Sequence, residues 1–200
     1  MDEQVLRRAV EALSNGELVV YPTDTLYGLG ADVFNDDAVK KVFKVKKRSL
    51  DLPLSVAISD FDDLEEICFI NELAIVLAER FLPGRLTIVL KKKKNVSDLV
   101  TGGLGRVAVR IPHNDTALKL LSSFSPITCT SANIHGMDTP SVIEDIKRQF
   151  DKNDVSVFID DGRLDGKPST IVDLSDGVLQ VLREGDITKK QLLDVIEKYE

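Results

Sequence analysis

The feature that most limits the fold of this sequence is a series of short apolar runs, each five or six residues long, interspersed with amphipathic helical segments. The runs are typical of buried strands and comprise residues 17–21, 53–58, 86–91, 106–111, 126–130, 155–160, 169–174 and 177–182. Helices are predicted over residues 3–13, 35–47, 60–81 (one short and one longer), 114–121, 141–150 and 187–199. Several late strands are joined by short turns, whereas parallel strands need long crossovers. The sequence therefore predicts an α/β fold with one large, twisted, mixed β-sheet flanked by helices.

Length and composition indicate one domain over residues 1–200. Hydrophobic residues make up 43% of the chain and charged residues 30%, which is ordinary for a soluble globular protein. No apolar run approaches the roughly 20 residues that span a membrane, and the acidic N-terminal segment does not look like a targeting peptide. Cys68 and Cys129 are too few for a disulfide framework. We therefore expect a cytoplasmic protein with reduced thiols and no membrane segment.

The segment YPTDTLYGLG, residues 21–30, follows a buried strand but is rich in hydroxyls and glycines. Thr23 and Thr25 offer hydroxyls at alternate positions, and Gly28 and Gly30 let a backbone approach a ligand closely. The alternative is a turn whose hydroxyls satisfy its own backbone. The sequence leaves both interpretations open.

Two further pairs of polar residues have the spacing i, i+2. In an extended segment, Lys46 and Arg48 would point the same way and form a cationic clamp for phosphate or carboxylate. Ser131 and Asn133 follow a buried strand, where α/β proteins commonly bind ligands. The alternatives are a solvated helix end for the first pair and a side-chain turn for the second.

Other chemical motifs are absent from the sequence. The segment 162–170 (GRLDGKPST) is similar to a phosphate loop, but its glycine spacing is one residue short and Pro168 replaces the required Ser or Thr. The chain has only two histidines, which makes a histidine-rich metal site improbable by composition. The sequence therefore leaves the identity of any metal ligands unknown.

Taken together, the motifs resemble the Sua5/YrdC/YciO family. The matching segments are YPTDTLYGLG, the K-x-R of Lys46 and Arg48, GRVAVRIPH, the S-x-N of Ser131 and Asn133, and STIVDL followed by VLREG. They occur in the family's order between about residues 5 and 187. The joint match is much more specific than any single segment, and it suggests that the loop at residues 21–30 contacts substrate.

The resemblance implies a twisted α/β sheet with a concave, positively charged cavity. It also implies L-threonylcarbamoyladenylate synthase activity, in which L-threonine, bicarbonate and ATP give threonylcarbamoyl-AMP and pyrophosphate. The product would serve the t6A37 modification of tRNA through a downstream threonylcarbamoyl-transfer complex. Mg²⁺ is expected to accompany ATP. Longer members carry a second domain, and this chain looks like the single-domain type.

The resemblance also assigns roles to individual side chains. Lys46 and Arg48 would be catalytic, neutralising carboxylate and phosphate. Threonine would be bound by Thr23, Arg110 and Ser169. ATP would be bound by Arg48, Ser131, Asn133 and Arg183. The alternative for Arg110 is an ion pair with another residue of the protein.

Two positions depart from the family pattern. Leu52 stands where Asn or Lys is frequent, and Ala57 stands where longer members have a threonine-contacting His. The departures put the threonine affinity in doubt rather than the type of reaction. We also consider a YciO-like protein with another small substrate, although this chain keeps both K-x-R and S-x-N.

A binding module for double-stranded RNA or tRNA is a further alternative. The lysines at 91–94 could contact phosphates, although such a run is more often a solvated strand end. The net charge of −7 argues against broad, nonspecific binding of nucleic acid.

Overall fold

The structure, a computed structural model, describes residues 1–199. Its helices are α1 (Glu3–Ser14), α2 (Asp36–Lys46), α3 (Leu64–Ile67), α4 (Glu72–Phe81), α5 (Asp98–Thr101), α6 (Asp115–Ser123), α7 (Ile143–Gln149) and α8 (Lys189–Ile196). Its strands are β1 (Val19–Tyr21), β2 (Gly28–Gly30), β3 (Ser55–Ala57), β4 (Cys68–Phe69), β5 (Leu86–Lys92), β6 (Arg106–Arg110), β7 (Ile127–Thr128), β8 (Thr130–Ser131), β9 (Val157–Phe158), β10 (Thr170–Asp173) and β11 (Gln180–Arg183). This architecture confirms the predicted single-domain α/β fold class.

The strands divide between two mixed sheets rather than forming the single large sheet expected from the sequence. The smaller sheet has the order β8-β2-β1-β9, and the larger has the order β11-β10-β5-β6-β3-β7 with β4 also paired to β5. The predicted strand 126–130 explains the difference, because β7 pairs with β3 of the larger sheet and β8 pairs with β2 of the smaller one. Cys129 lies between the two pairings, so this segment joins the sheets.

The glycines of β2 accommodate a tyrosine ring. Tyr21 is fully buried, and its hydroxyl donates to the Thr128 carbonyl oxygen at 3.1 Å. A Cβ atom on Gly28 or Gly30 would lie 3.1 or 3.0 Å from the ring atom Cε1 of Tyr21. Both glycines therefore have a packing role, and close approach to a ligand stays a prediction for Gly28, which also lines the cavity described below.

Local sequence signals fix the end of α2, which positions Arg48. The helix begins after Asn35, whose side chain accepts from the backbone N–H groups of Asp37 and Ala38 at 3.1 Å, as predicted. It ends at Lys47, which has a left-handed backbone with φ of 50°. Arg48 therefore leaves the helix axis and turns towards the space between the sheets.

Some short elements were not expected from the sequence. They are β2 within the glycine-rich loop, β4 between α3 and α4, and α5 within residues 91–105, which the sequence predicts as a loop or hairpin arm. Each spans two to four residues, too few for a recognisable period. None of the helices described for residues 1–199 is long and apolar enough to cross a membrane.

A candidate substrate cavity

A cavity of about 420 Å³ lies between the two sheets. Its walls come from the loop 23–28, residues 48–55, β8, and the concave faces of β5, β6, β10 and β11. The predicted site residues that line it are Thr23, Arg48, Arg110, Ser131, Ser169 and Arg183. Lys46 and Asn133 do not line it. The volume is in the range typical of small-molecule sites.

The polarity of the side chains that line the floor of the cavity changes with depth. Along β5, β6 and the segment 169–171, the lining residues change in type from the deep end outwards. Arg110, Thr87 and Ser169 are polar and buried, Ala108, Val89 and Ile171 are apolar, and Arg106 is partly exposed and pairs with Asp173. The cavity therefore has a polar deep end, an apolar middle and a cationic rim.

Hydroxyls and one arginine define the deep end. The Thr23 and Thr25 hydroxyls lie 2.9 Å apart, and Thr23 also donates to the Leu26 carbonyl oxygen at 2.6 Å. The hydroxyls of this loop therefore stabilise a turn and also line the cavity, and their contact with a ligand stays a prediction. Arg110 donates to Thr25 Oγ1 at 3.1 Å and pairs with Asp24 at 2.5 Å. The ion pair considered for Arg110 is thus present.

The arginines of the cavity fall into two classes. Arg106 and Arg110 pair with Asp173 and Asp24 at 2.6 and 2.5 Å. Arg48 and Arg183 have no carboxylate within ion-pair distance in the described part of the chain.

Desolvation lowers the pKa of Arg48 and of Arg183, and the nearby charge of Arg110 adds to the effect at Arg183. No Asp or Glu of residues 1–199 lines the cavity. These two guanidinium groups are therefore suited to bind anions.

Side chains from two strands, β5 and β11, form hydrogen bonds with Ser169. The Ser169 hydroxyl lies 2.7 Å from the Thr87 hydroxyl. Arg183 donates from Nε and Nη2 to the Ser169 carbonyl oxygen at 3.0 and 2.9 Å. These hydrogen bonds place the Ser169 hydroxyl and the Arg183 guanidinium group at the same end of the cavity.

Lys46 lies behind the cavity wall, with only 1% of its surface exposed. It is the last residue of α2, so the extended clamp expected for Lys46 and Arg48 is not formed. Lys46 Nζ donates to the carbonyl oxygen of Asn133 at 2.7 Å, to Asn133 Oδ1 at 3.2 Å and to the carbonyl oxygen of Ser131. Three acceptors match the three protons of an ammonium group. Lys46 thus connects the K-x-R and S-x-N motifs through the protein interior.

Asn133 completes this buried connection. Its Oδ1 accepts from the Ser131 hydroxyl at 2.6 Å, and its Nδ2 donates to the carbonyl oxygens of Ile134 and Met137 at 3.1 and 2.6 Å. The side-chain turn considered for this segment is therefore present. Within S-x-N, Ser131 faces the cavity and Asn133 supports it from behind.

The burial of Lys46 predicts how the stability of the folded protein depends on pH. Burial, together with the charge of Arg48, lowers the pKa of Lys46 to about 7. Between this value and the ordinary value of 10.5, the unfolded chain binds a proton that the folded chain does not. Stability should therefore rise with pH in this window. Relative to Lys46→Met, the wild type should gain about 2 kcal/mol in free energy of unfolding from pH 7 to pH 9, measured in urea.

The exposed Lys44 on the same helix supplies the control. Lys44→Met should follow the wild-type pH dependence throughout. Parallel stability curves for the wild type and Lys46→Met would show that the Lys46 proton is bound equally in the folded and unfolded states.

Gly166 is a site-supporting residue that the sequence analysis did not identify. Its N–H donates to the Thr25 carbonyl oxygen at 3.1 Å, and an added Cβ would contact that oxygen and lie 2.7 Å from Thr25 Cα. The loop before β10 can therefore approach the threonine loop only with glycine at this position. A glycine in a loop carries no sequence signal for so close a contact.

Gly166→Ala should lower the free energy of unfolding by about 2 kcal/mol, because backbone atoms must move apart. The melting temperature would fall by about 4–8 °C in a chain of this size. Gly105→Ala is the matched control, since a Cβ there would meet nothing within 4 Å. Equal melting temperatures for the two variants would contradict the packing role of Gly166.

Several other cavity residues were not identified from the sequence. Thr87 and Arg106 belong to strands whose alternation places them on the concave face. Tyr27 lines the cavity, and its hydroxyl donates to Gly162 O at 2.7 Å and accepts from Asp161 N at 3.0 Å. The alternation of strand residues carried the signal for the first two, whereas Tyr27 depends on a loop more than 130 residues away.

The lysines at 91–94 are largely engaged within the protein. Lys91 pairs with Asp176 at 3.5 Å, and Lys92 pairs with Asp98 at 2.9 Å. Lys93 donates to the Glu65 carbonyl oxygen and lies over the ring of Phe69. These contacts favour a structural role for three of the four lysines over the RNA contact considered from the sequence.

The two departures from the family pattern lie outside the cavity lining. Ala57 is fully buried in β3, where it pairs with Arg110 and Ile127. Leu52 is partly buried and does not line the cavity. Ser55, two residues before Ala57 on the same strand face, does line it. The effect of both departures on threonine affinity stays a prediction.

The structure is that of an α/β protein with one cavity lined by four arginine side chains, Arg48, Arg106, Arg110 and Arg183. The chain belongs to the Sua5/YciO/YrdC family, since the family model, described as "Telomere recombination", matches residues 11–185. A putative threonylcarbamoyl-AMP synthase of Methanocaldococcus jannaschii is 37% identical over 191 residues, covering 95% of this chain and 90% of that protein.

Solved structures show the same relationship. Pyrococcus abyssi Sua5 complexed with L-threonine has a TM-score of 0.93 and 39% identity, covering 98% of this chain but 58% of that protein. This chain therefore spans little more than half of the P. abyssi protein. Escherichia coli YciO has a TM-score of 0.87 and 29% identity, covering 96% of this chain and 94% of that protein. The fold is thus shared by both branches of the family.

Proposed function

We propose that this protein is a threonylcarbamoyl-AMP synthase that uses L-threonine, bicarbonate and ATP. The observation that carries this proposal is the division of charge in one cavity. Asp24 neutralises Arg110, whereas Arg48 and Arg183 have no carboxylate partner among residues 1–199. The deep end suits an amino acid, and the unpaired arginines suit phosphates. The curated relatives named threonylcarbamoyl-AMP synthase support the same function.

The proposed reaction needs no nucleophile from the protein. The amine of threonine attacks the carbon of carbon dioxide and loses a proton, or it attacks bicarbonate and water leaves; either route gives the carbamate. A carbamate oxygen then attacks the α-phosphorus of ATP, the bond to the bridging oxygen breaks, and pyrophosphate leaves. Burial raises the pKa of Cys129, the one cysteine lining the cavity in the described range, so its thiol stays protonated at neutral pH.

The protein contributes position and charge. We assign the threonine carboxylate to Arg110, with the hydroxyls of Thr23 and Ser169 nearby. Arg48 and Arg183 would hold phosphate oxygens and stabilise the charge that spreads over them during transfer. Ser131 would donate to the nucleotide. Lys46 and Asn133 then support Ser131 from behind, rather than binding the nucleotide as their motifs suggested.

Mg²⁺ fits this site only as a companion of ATP. Among residues 1–199, no cluster of three His, Cys, Asp or Glu side chains could hold a metal ion. The cavity offers hydroxyls but no carboxylate, so phosphate oxygens and water would supply most ligands of the ion. When bound, Mg²⁺ would neutralise charge on the leaving pyrophosphate. The product would pass to the threonylcarbamoyl-transfer machinery that modifies tRNA.

The function is tested by following pyrophosphate release from ATP in the presence of magnesium, bicarbonate and each amino acid in turn. We expect release only when both threonine and bicarbonate are present. Release that is independent of amino acid would indicate a simple ATP hydrolase. No release with any amino acid would favour a YciO-like protein with another substrate, and salt-dependent tRNA binding would then be tested.

A further inference from the structure

We propose that Asp24 makes the deep end of the cavity selective for a zwitterionic amino acid over the corresponding anion. The inference rests on the proposed function, in which Arg110 receives the carboxylate of the amino acid. It adds a positioning residue that acts on the ligand through Arg110. It also predicts which charge state of ligand the site accepts.

Asp24 and Arg110 form a buried ion pair in which each side chain keeps one polar atom free of hydrogen bonds within the described structure. Asp24 Oδ1 accepts from Arg110 Nη2 at 2.5 Å, and the two side chains are 9% and 5% exposed. Asp24 Oδ2 and Arg110 Nε are buried and have no hydrogen-bond partner within residues 1–199. A buried carboxylate oxygen without a donor is costly, so a positive charge brought into the neighbouring cavity would be favourable, although Asp24 does not itself line that cavity.

The rim pair does not have this property. Asp173 Oδ2 accepts from Arg106 and its Oδ1 accepts from the backbone N–H of Ser175, so both oxygens are satisfied. The Arg106 side chain is 42% exposed, and water screens its charge. Among the acids paired with cavity arginines, Asp24 alone has both deep burial and an unused acceptor in the described structure.

The charges of the Asp24–Arg110 pair favour a ligand with no net charge over an anion. Asp24 cancels the charge of Arg110, so a ligand bearing only a carboxylate would add an unbalanced negative charge near Asp24. The ammonium group of an amino acid supplies the balancing positive charge. Opposite charges in a partly buried site interact strongly enough, even without direct contact, to change affinity at least about tenfold. Arg48 and Arg183 remain available for the anions of the second substrate.

The test compares L-threonine with its α-hydroxy analogue, in which a hydroxyl replaces the amine. Dissociation constants are measured by ligand-dependent thermal stabilisation, with a non-hydrolysable ATP analogue present throughout. The wild type should prefer threonine at least about tenfold. Asp24→Asn should bring the two constants to within about threefold. The Asp173→Asn control should keep the wild-type preference.

The preference is the ratio of two dissociation constants measured on the same variant, so a smaller fraction of folded protein does not change it. Asp24→Glu keeps the negative charge and should keep the preference for threonine. This variant provides a second test if Asp24→Asn does not fold. Equal affinities in the wild type, or an unchanged preference in folded Asp24→Asn, would overturn the inference alone. A wild-type protein that threonine does not stabilise would overturn the proposed function as well.

Discussion

Arg48→Ala is expected to lower the rate of threonylcarbamoyl-AMP formation by about 10²–10³-fold and to leave the fold intact. Arg48 lines the cavity and has no carboxylate partner in the described chain. Within residues 1–199 its side chain makes one hydrogen bond, from Nη2 to the Pro53 carbonyl oxygen, which is 2.9 Å long and lies at the surface. Its Nε is buried and has no partner within residues 1–199. The side chain therefore contributes little to stability and is available to bind phosphate.

The rate is measured as pyrophosphate release at saturating substrates, together with circular dichroism and a melting curve. Arg163→Ala is the matched control, because Arg163 is an exposed arginine outside the cavity. It should keep the wild-type rate. A variant at Arg48 that loses its secondary structure, or one that keeps its rate, would show that Arg48 is structural or dispensable.

Asn133→Ala is expected to lower the free energy of unfolding by about 3 kcal/mol, a fall of about 6–12 °C in melting temperature. The amide accepts from Lys46 and Ser131 and donates to two backbone carbonyl oxygens. Alanine would remove all four hydrogen bonds and leave buried polar groups without partners. The domain should still fold at room temperature, because ordinary stabilities exceed this loss.

Ser131→Ala provides the comparison within the same motif. Ser131 is partly exposed and faces the cavity, so its loss should change the melting temperature by less than about 2 °C. It should raise the KM for ATP about tenfold, the usual cost of one hydrogen bond to a charged ligand. Equal stability of the two variants would contradict the assignment of Asn133 to a supporting position.

The positions of the main elements could be predicted from the sequence because their signals are local. The apolar period of α1 and the cap at Asn35 depend on neighbours in the chain. The separation into two sheets could not be predicted, because it depends on how residues 126–131 pair with strands far away in sequence.

The site residues also divide into those whose position could be predicted from the sequence and those whose position could not. Arg48, Arg110 and Ser131 were identified from motifs, and each lines the cavity. Lys46 and Asn133 belong to the same motifs but point into the protein, because α2 continues to Lys46 and the chain turns at Asn133. Motif spacing alone does not distinguish residues that face a ligand from residues that support them.

The central claim is that this cavity joins threonine, bicarbonate and ATP in one product. The direct measurement is mass spectrometry of the nucleotides formed from ATP, threonine and isotopically labelled bicarbonate. We expect a threonylcarbamoyl adenylate that carries the label and that disappears when threonine is omitted. Formation of unlabelled AMP or ADP as the only nucleotide product would contradict the claim.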